Sequence, residues 1–442
     1  MKLRKFKGGV HPNGNKNLTE HLAIEEAAPP QKIYVPLHQH IGAPCEPLVS
    51  KGDEVKKGQK IGDSESFVSA PVHSSVSGTV AAVEPYPHPG GGKVKAVVIE
   101  PDGEDDWSEE VKPPPKRWED MSPKEITEVI RDAGIVGMGG AAFPAHVKLS
   151  PPQDKPIDTF ILNGAECEPY LTADHRTMLE FPEEVYTGMK IMMKALGVKK
   201  GIIGIEQNKP DAIETMKEAV KGDEEVEIYP LPTMYPQGAE KMLIEVTTGR
   251  QVPSGGLPLD VGVVNQNVGT SRAVARALQY GEPLIERPIT VTGRGINRPA
   301  NVKVKVGTLV SEIIEHCQGL TEDVGKVIIG GPMMGLAQPH SEVPVLKGTS
   351  GVLTLTQKDL SMEPISPCIR CAKCVDVCPV NLLPNFLGTA GEKEFVDQAE
   401  EYHALDCIEC GCCTYVCPAS RPLTQWIKVA KGEITARKKQ NS

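Results

Sequence analysis

The chain is 442 residues long, enough for three or four domains, and its formal net charge of −10 argues against nucleic acid as a partner. Aromatic residues make up only 4% while Gly (43) and Pro (39) are plentiful, which points to many short elements and shaped loops instead of one large core. No stretch approaches the roughly 18 consecutive apolar residues of a bilayer span, and residues 1–9 carry Lys and Arg without an apolar run, so neither a direct membrane span nor a secretory signal is expected.

Residues 1–31 are polar and end at Pro29 and Pro30, which predicts an irregular arm. Residues 32–101 show short apolar alternations, at 33–35 and 94–99, between Gly-containing turns. Within them KGDEVKKGQKIG at 51–62 and SAPVHSSVSGTV at 69–80 resemble the biotinyl/lipoyl-type barrel-sandwich hybrid. Such carriers place a modifiable Lys at a hairpin tip. Residues 64–75 contain none, so the fold is expected without the swinging arm.

The segment 102–117 is acidic and then Pro-rich, a linker. A domain at 118–283 follows. Ser122, Pro123 and Glu125 form a capping box with Pro at the first helical position, predicting a helix to about 133 that stops at Gly134. Strands at 158–162, 201–205 and 226–229 alternate with helices at 183–196, closed by Gly197, and 210–220, capped near Asn208 and ended by Gly222. That alternation implies a parallel, Rossmann-like sheet. Asp174 is a candidate N-cap, and His175 and Arg176 after it are read as structural or exposed.

At 284–356, strands at 287–292 and 302–306, a helix at 309–317 and a strand at 326–329 suit a β-grasp unit, with GGPMMG at 330–335 a tight turn. Cys317 is read as a buried apolar residue of that helix. The last region, 360–430, is expected to be a helical ferredoxin-like domain: residues 382–402 look largely helical, 423–429 is another helix, and 431–442 is a frayed basic tail.

The cysteines of that region carry the strongest chemical signal. Cys368, Cys371, Cys374 and Cys378 read C-x2-C-x2-C-x3-C followed by Pro379, and Cys407, Cys410, Cys413 and Cys417 repeat the spacing before Pro418. This is the bacterial-ferredoxin run, in which three thiolates wrap one cubane and the fourth reaches the other. One [4Fe–4S] cluster is therefore assigned to Cys368, Cys371, Cys374 and Cys417, the other to Cys407, Cys410, Cys413 and Cys378. Zinc, usually held by two separated C-x2-C pairs, fits the doubled run poorly. Of 12 cysteines, eight are committed to iron, which implies a reducing compartment. Cys412 lies between ligands, and the spacing leaves it without an assigned role.

Clusters move single electrons, so exchange with a hydride carrier needs an adaptor, and a flavin supplies one. GMGGAAFP at 137–144 is the candidate cradle, since small residues let backbone N–H groups approach a phosphate and a ring edge. Asn163, Glu166 and Glu168 follow at the C-terminal end of a predicted strand, where ligands bind in parallel α/β sheets. The ordered set is Gly137, Gly139, Gly140, Ala141 and Phe143, then Lys148, then Asn163, Glu166 and Glu168, then Gly238 and Glu240, then Asn267 and Thr270. That order resembles the flavin-bearing, NADH-oxidising subunit of respiratory complex I. Met138 stands where that pattern has Arg, Ala165 where it has Asp, and Ala239 where it has Glu.

With the hybrid, the β-grasp unit and the doubled cysteine run, the whole chain resembles the family of C subunits of the Rnf complex, an ion-translocating ferredoxin:NAD+ oxidoreductase. The resemblance implies a multidomain α/β fold: barrel-sandwich hybrid, Rossmann-like FMN/NADH domain, β-grasp unit and helical ferredoxin-like domain with two [4Fe–4S] clusters. It implies noncovalent FMN, NAD(H) as substrate, and other Rnf subunits, membrane-embedded ones included, as partners. It places the chain peripherally on the cytoplasmic side of the cell inner membrane. Lys148 is a candidate partner of the FMN phosphate, and no side chain is assigned as catalytic because the flavin does the chemistry. A soluble flavin/iron–sulfur reductase, such as a cobalamin reductase, and a nucleotide-free electron-conducting adaptor are the alternatives left open.

Overall fold

The computed structural model describes residues 4–360 and 363–440; the outermost residues of the expected arm and tail, 1–3 and 441–442, lie outside it. The fold is multidomain α/β. The region after the linker is built on a four-stranded, wholly parallel sheet in the order Val226–Leu231, Lys200–Glu206, Thr159–Gly164, Val263–Asn267. Strand period sorts its apolar residues onto two buried faces. Phe160 and Leu162 pack with the helices Pro182–Leu196 and Val268–Tyr280. Ile161 and Ile202 pack on the other face with Met242, Leu243 and Val246 of the helix Glu240–Thr248. Gly188 lets the first two helices touch, because a Cβ there would run into the Ser271 carbonyl.

The N-terminal hybrid pairs a four-stranded sheet (Ile33–Pro36, Lys93–Pro101, Gly78–Pro87, Glu54–Val55) with a three-stranded one (Glu46–Pro47, Lys60–Asp63, Val72–His73) around a small core that includes Cys45. The β-grasp region forms a mixed sheet from Ala300–Lys305, Glu286–Thr292, Gly351–Thr356, Val324–Ile329 and Leu336–Gln338, with the helix Val310–His316 and Cys317 in its core. The cysteine-rich region packs the helices Pro384–Glu392, Val396–Glu401 and Leu423–Gln440 together.

Four local expectations are corrected. The arm is not irregular throughout: Ile24–Glu26 pairs in parallel with Ala300–Lys305 as an edge strand, and Lys16 is buried. The N-cap of Pro210–Ala219 is Lys209, not Asn208, whose side-chain oxygen accepts from Lys209 Nζ instead (3.0 Å). Asp174 lies inside the helix Ala173–Glu180, whose first N–H groups are met by Glu166. The basic tail continues the last helix to Gln440, because Ile427, Ala430 and Ile434 at helical spacing stay buried. The capping box of Ser122 and Glu125 and the left-handed closure at Gly197 form as the spacing predicts.

Candidate functional site: two thiol cavities and a glycine cradle

Cys368, Cys371, Cys374 and Cys417 line one cavity, together with Asn385 and Arg421. Cys378, Cys407, Cys410 and Cys413 line a second, of roughly 340 Å³, with Leu387, Cys412, Thr424 and Ile427. Each cavity thus draws three thiols from one run and one from the other. Local backbone explains the wrap: Ala372 and Gly411, both left-handed, turn the chain into the short helices Lys373–Asp376 and Cys412–Tyr415. The two sets differ in exposure. Cys368 and Cys371 face solvent, whereas Cys378, Cys410 and Cys413 are buried.

Backbone N–H groups of Arg370, Leu382 and Glu409 donate to Cys368, Cys378 and Cys407 Sγ at 3.3–3.4 Å. Burial pushes the Cys407 thiol up to about 12 and the Cys413 thiol up to about 11. Such thiols stay protonated at neutral pH unless a cation displaces the proton, which is what iron does. An all-thiol donor set with N–H groups aimed at sulfur, around a largely apolar cavity, fits a [4Fe–4S] cubane.

The glycine loop closes on itself through Gly137 N–H to Phe143 O (2.8 Å) and a bridge between Val136 and Pro144. Thr270 Oγ1 accepts from Met138 N–H (2.8 Å), so Thr270 anchors the loop from behind. Gly139, Gly140 and Ala141 are exposed and Phe143 half-buried. A Cβ at Gly140 would meet nothing within 4 Å, and one at Gly139 only the Asn267 side chain, its Cβ at 3.6 Å and its Nδ2 at 3.9 Å. Free space therefore stands directly over the backbone, the condition a flat ring and its phosphate need.

The other predicted residues gather at the C-terminal ends of Thr159–Gly164 and Val263–Asn267. Asn163 donates to Gly238 O (2.9 Å) and accepts from Ala165 N–H (3.1 Å). Lys148 Nζ is held by Glu240 (2.6 Å) and by the Asn265 side chain (3.2 Å). Asn267 caps its helix at Gly269 N–H and donates to Asp174 (2.6 Å). The arrangement of open glycines, a half-buried ammonium and amide side chains at strand ends fits FMN.

Two predicted residues face elsewhere. Glu166 accepts from Asp174 N–H (2.7 Å) and His175 N–H (3.3 Å), and so holds a helix. Glu168 accepts from Met333 N–H (3.1 Å) and Met334 N–H (2.8 Å), and burial pushes its carboxyl up to about 7. The GGPMMG turn is therefore a joint between the β-grasp region and the cradle, more than a tight turn. Sequence reasoning missed Asn265, Cys167, Arg287 and Lys16. Asn265 was legible in principle, since the polar run Asn-Gln-Asn at 265–267 ends a buried strand. The others act across long sequence separations.

One contact joins cradle and cavity. Cys167, which accepts from Gly238 N–H (3.2 Å), packs with Tyr235, Met333 and Val10 against Cys410 and Cys412.

Family models place these parts in known company. Residues 130–276 match the Nuo51 FMN-binding domain, 4–104 the RnfC barrel sandwich hybrid domain, 288–337 the SLBB domain and 364–418 the 4Fe-4S dicluster domain. The C subunit of the proton-translocating ferredoxin:NAD(+) oxidoreductase complex of Clostridium ljungdahlii is 53% identical over 98% of this chain and 95% of its own length. The chain belongs to the family of Rnf complex C subunits. The Na(+)-translocating counterpart of Acetobacterium woodii is 48% identical over 99% of this chain and 98% of its own. The C subunit of the ion-translocating oxidoreductase complex of Rhodobacter capsulatus is 46% identical over 98% and 83%. Among solved structures, the air-oxidized NAD+-reducing [NiFe]-hydrogenase aligns with a TM-score of 0.51 at 19% identity, covering 71% of this chain and 66% of that one, a likeness of fold alone. As an Rnf C subunit, the chain carries an FMN-binding domain and a dicluster domain, and no described helix is long and apolar enough to cross a membrane.

Proposed function

We propose that this Rnf C subunit exchanges electrons between NAD(H) and membrane-embedded partner subunits, in a complex that couples ferredoxin oxidation to NAD+ reduction and ion translocation. The contact of Cys167, Tyr235 and Met333 with Cys410 and Cys412 carries this reading, because it joins the nucleotide end of the chain to the thiol end without a mobile carrier. Bound FMN supplies the conversion between two-electron and one-electron transfer, and the clusters carry single electrons.

In this reading Gly137, Gly139, Gly140, Ala141 and Phe143 form the flavin floor, and Lys148 meets its phosphate. Asn163, Gly238, Glu240 and Asn267 orient the rings, while Glu166, Glu168 and Thr270 hold the loops that present them. Cys368, Cys371, Cys374 and Cys417 hold one cluster; Cys378, Cys407, Cys410 and Cys413 hold the other. The working units are 1–31, 32–101, 118–283, 284–356 and 360–430. The chain sits peripherally on the cytoplasmic side of the cell inner membrane, and the ion path belongs to its partners.

Anaerobic purification tests the reading. It requires about eight iron and eight sulfide per chain, with FMN released on denaturation and an absorbance bleached by NADH. About four iron, stoichiometric zinc, or no flavin after supplying FMN would refute it.

A further inference from the structure

Tyr235 stands at the seam between the glycine cradle and the buried thiol cavity. Its side chain is 1% exposed and packs with Cys410 and Cys412 as well as with Cys167 and Met333. Its backbone is fully paired, with reciprocal hydrogen bonds to Val10 at 2.8 and 2.9 Å. Its hydroxyl is not: it is shut off from solvent and has no partner among the described residues. Two residues on, Gln237 is also fully buried, and neither of its amide atoms is paired. A buried donor without an acceptor destabilises a fold, so native proteins leave few of them. Two adjacent cases on one turn indicate an acceptor that is supplied by something the turn faces.

The neighbourhood restricts what that acceptor is. The side chains that pack with Tyr235 include those of Cys167, Met333, Cys410 and Cys412, and Glu168 is the carboxylate that acts on it electrostatically. Glu168 is engaged by Met333 and Met334 N–H, and Cys167 by Gly238 N–H. What remains is the sulfur-rich side, where Cys410 and Cys412 line the buried cavity.

We propose that the Tyr235 hydroxyl donates a hydrogen bond to a sulfur of the cluster held by Cys378, Cys407, Cys410 and Cys413, and thereby raises that cluster's reduction potential. This rests on the function proposed above. The physical sense is direct. Reduction adds negative charge to the cluster, burial disfavours that charge, and a donor aimed at sulfur offsets the penalty. The exposed set, near water and lined by Cys368 and Cys371, has no such need. Tyr235 is thus a positioning and tuning residue, not a catalytic one.

The test uses the full chain, purified anaerobically with both clusters and FMN. Tyr235→Phe keeps the ring and removes the O–H. In redox titration followed by electron paramagnetic resonance, the buried cluster's midpoint is expected to move to more negative potential while the exposed cluster and the flavin stay put. After exchange into D2O, pulsed measurement of the reduced buried cluster is expected to lose one strongly coupled deuteron in the variant. Incorporating 3-fluorotyrosine at position 235, a stronger donor of nearly the same shape, shifts the midpoint the opposite way and serves if the Phe variant fails to load iron. Unchanged midpoints, a retained deuteron, or a shift confined to the flavin would each overturn the proposal. Failure of the unmodified chain to bind clusters or flavin would instead refute the proposed function.

Discussion

Replacing Lys347 by methionine tests how the seams between regions support the cradle. Lys347 is 1% exposed, and its Nζ donates to Pro71 O (2.6 Å) in the hybrid and to Gly134 O (2.7 Å) at the end of the helix Pro123–Asp132. Its own carbonyl accepts from Arg287 Nη1 (2.5 Å), and the next residue, Gly348, backs the glycine loop, with Ala142 Cβ 3.0 Å from where a Cβ would stand. Methionine keeps the stem and strips two buried carbonyls of their donor. At about 1–3 kcal/mol for each unsatisfied group, the seam loses about 2–6 kcal/mol. Little is regained by removing the charge, because burial already holds Lys347 down to about 7 and a neutral amine still donates to both carbonyls. At about 1.4 kcal/mol per decade, even the lower bound opens the seam more than tenfold more often. Hydrogen exchange at Ser74, Gly134 and Ile135 should accelerate accordingly, and FMN should bind more weakly. The pH sign is fixed. The opened seam holds a proton between about 7 and the ordinary 10.5 that the closed seam releases, so closure strengthens as pH rises through that window and stops changing below it. The methionine variant should show no such slope. Equal exchange in both proteins, or no slope in the wild type, would refute the reasoning.

The site geometry also decides the outcome of four substitutions, two in the cradle and two among the cysteines. Gly139→Ala has room against the protein, 3.6 Å from Asn267 Cβ, so it should melt like wild type yet lose at least about tenfold in FMN affinity by placing a methyl over the floor. Gly140→Ala, at φ +109°, should add about 1–2 kcal/mol of backbone strain to the same loss, seen as a lower melting temperature. Cys378→Ser should remove about half of the iron and the spectrum of the buried cluster, and Cys417→Ser that of the exposed one; loss of the opposite signals would show that the runs do not cross.

What the sequence made legible was local in register. The capping box at Ser122, the αL closure at Gly197 and the doubled cysteine spacing each depend on residues within a few positions of one another, and short-range sterics decide them. The tail was misread because its basic surface hid Ile434, which extends the buried face of Ile427 and Ala430 along a single helix. Glu166 and Glu168 were found as polar groups at a strand end, but their partners, Asp174 and the 333–334 turn, are set by tertiary packing. Tyr235 and Lys347 left no sequence signal, since each matters through carbonyls, sulfurs or an orphaned hydroxyl brought near from distant parts of the chain.

The buried cations show how a chain with so few aromatic residues holds a loop-built cradle. Loops near a ligand cannot pair their carbonyls in helices or sheets, yet buried carbonyls must be paired. Lysine reaches them with up to three donors on a flexible stem. Lys16, from the arm, takes the carbonyls of Glu166 (2.9 Å), Glu168 (3.0 Å) and Leu171 (2.5 Å). Lys209 takes Ala165 O (2.7 Å), with Glu206 at 3.4 Å as its carboxylate partner. Arg287 takes Lys347 O and, at 3.3 Å, Met138 O at the loop itself. Burial lowers the Arg287 guanidinium only to about 10, so it stays charged at neutral pH. A strand of the β-grasp region, Glu286–Thr292, thus sets a buried positive charge against the carbonyl of Met138 in the glycine loop. Because the same guanidinium holds both Met138 O and Lys347 O, the shape of the glycine loop is tied to the packing of the β-grasp region against the cradle.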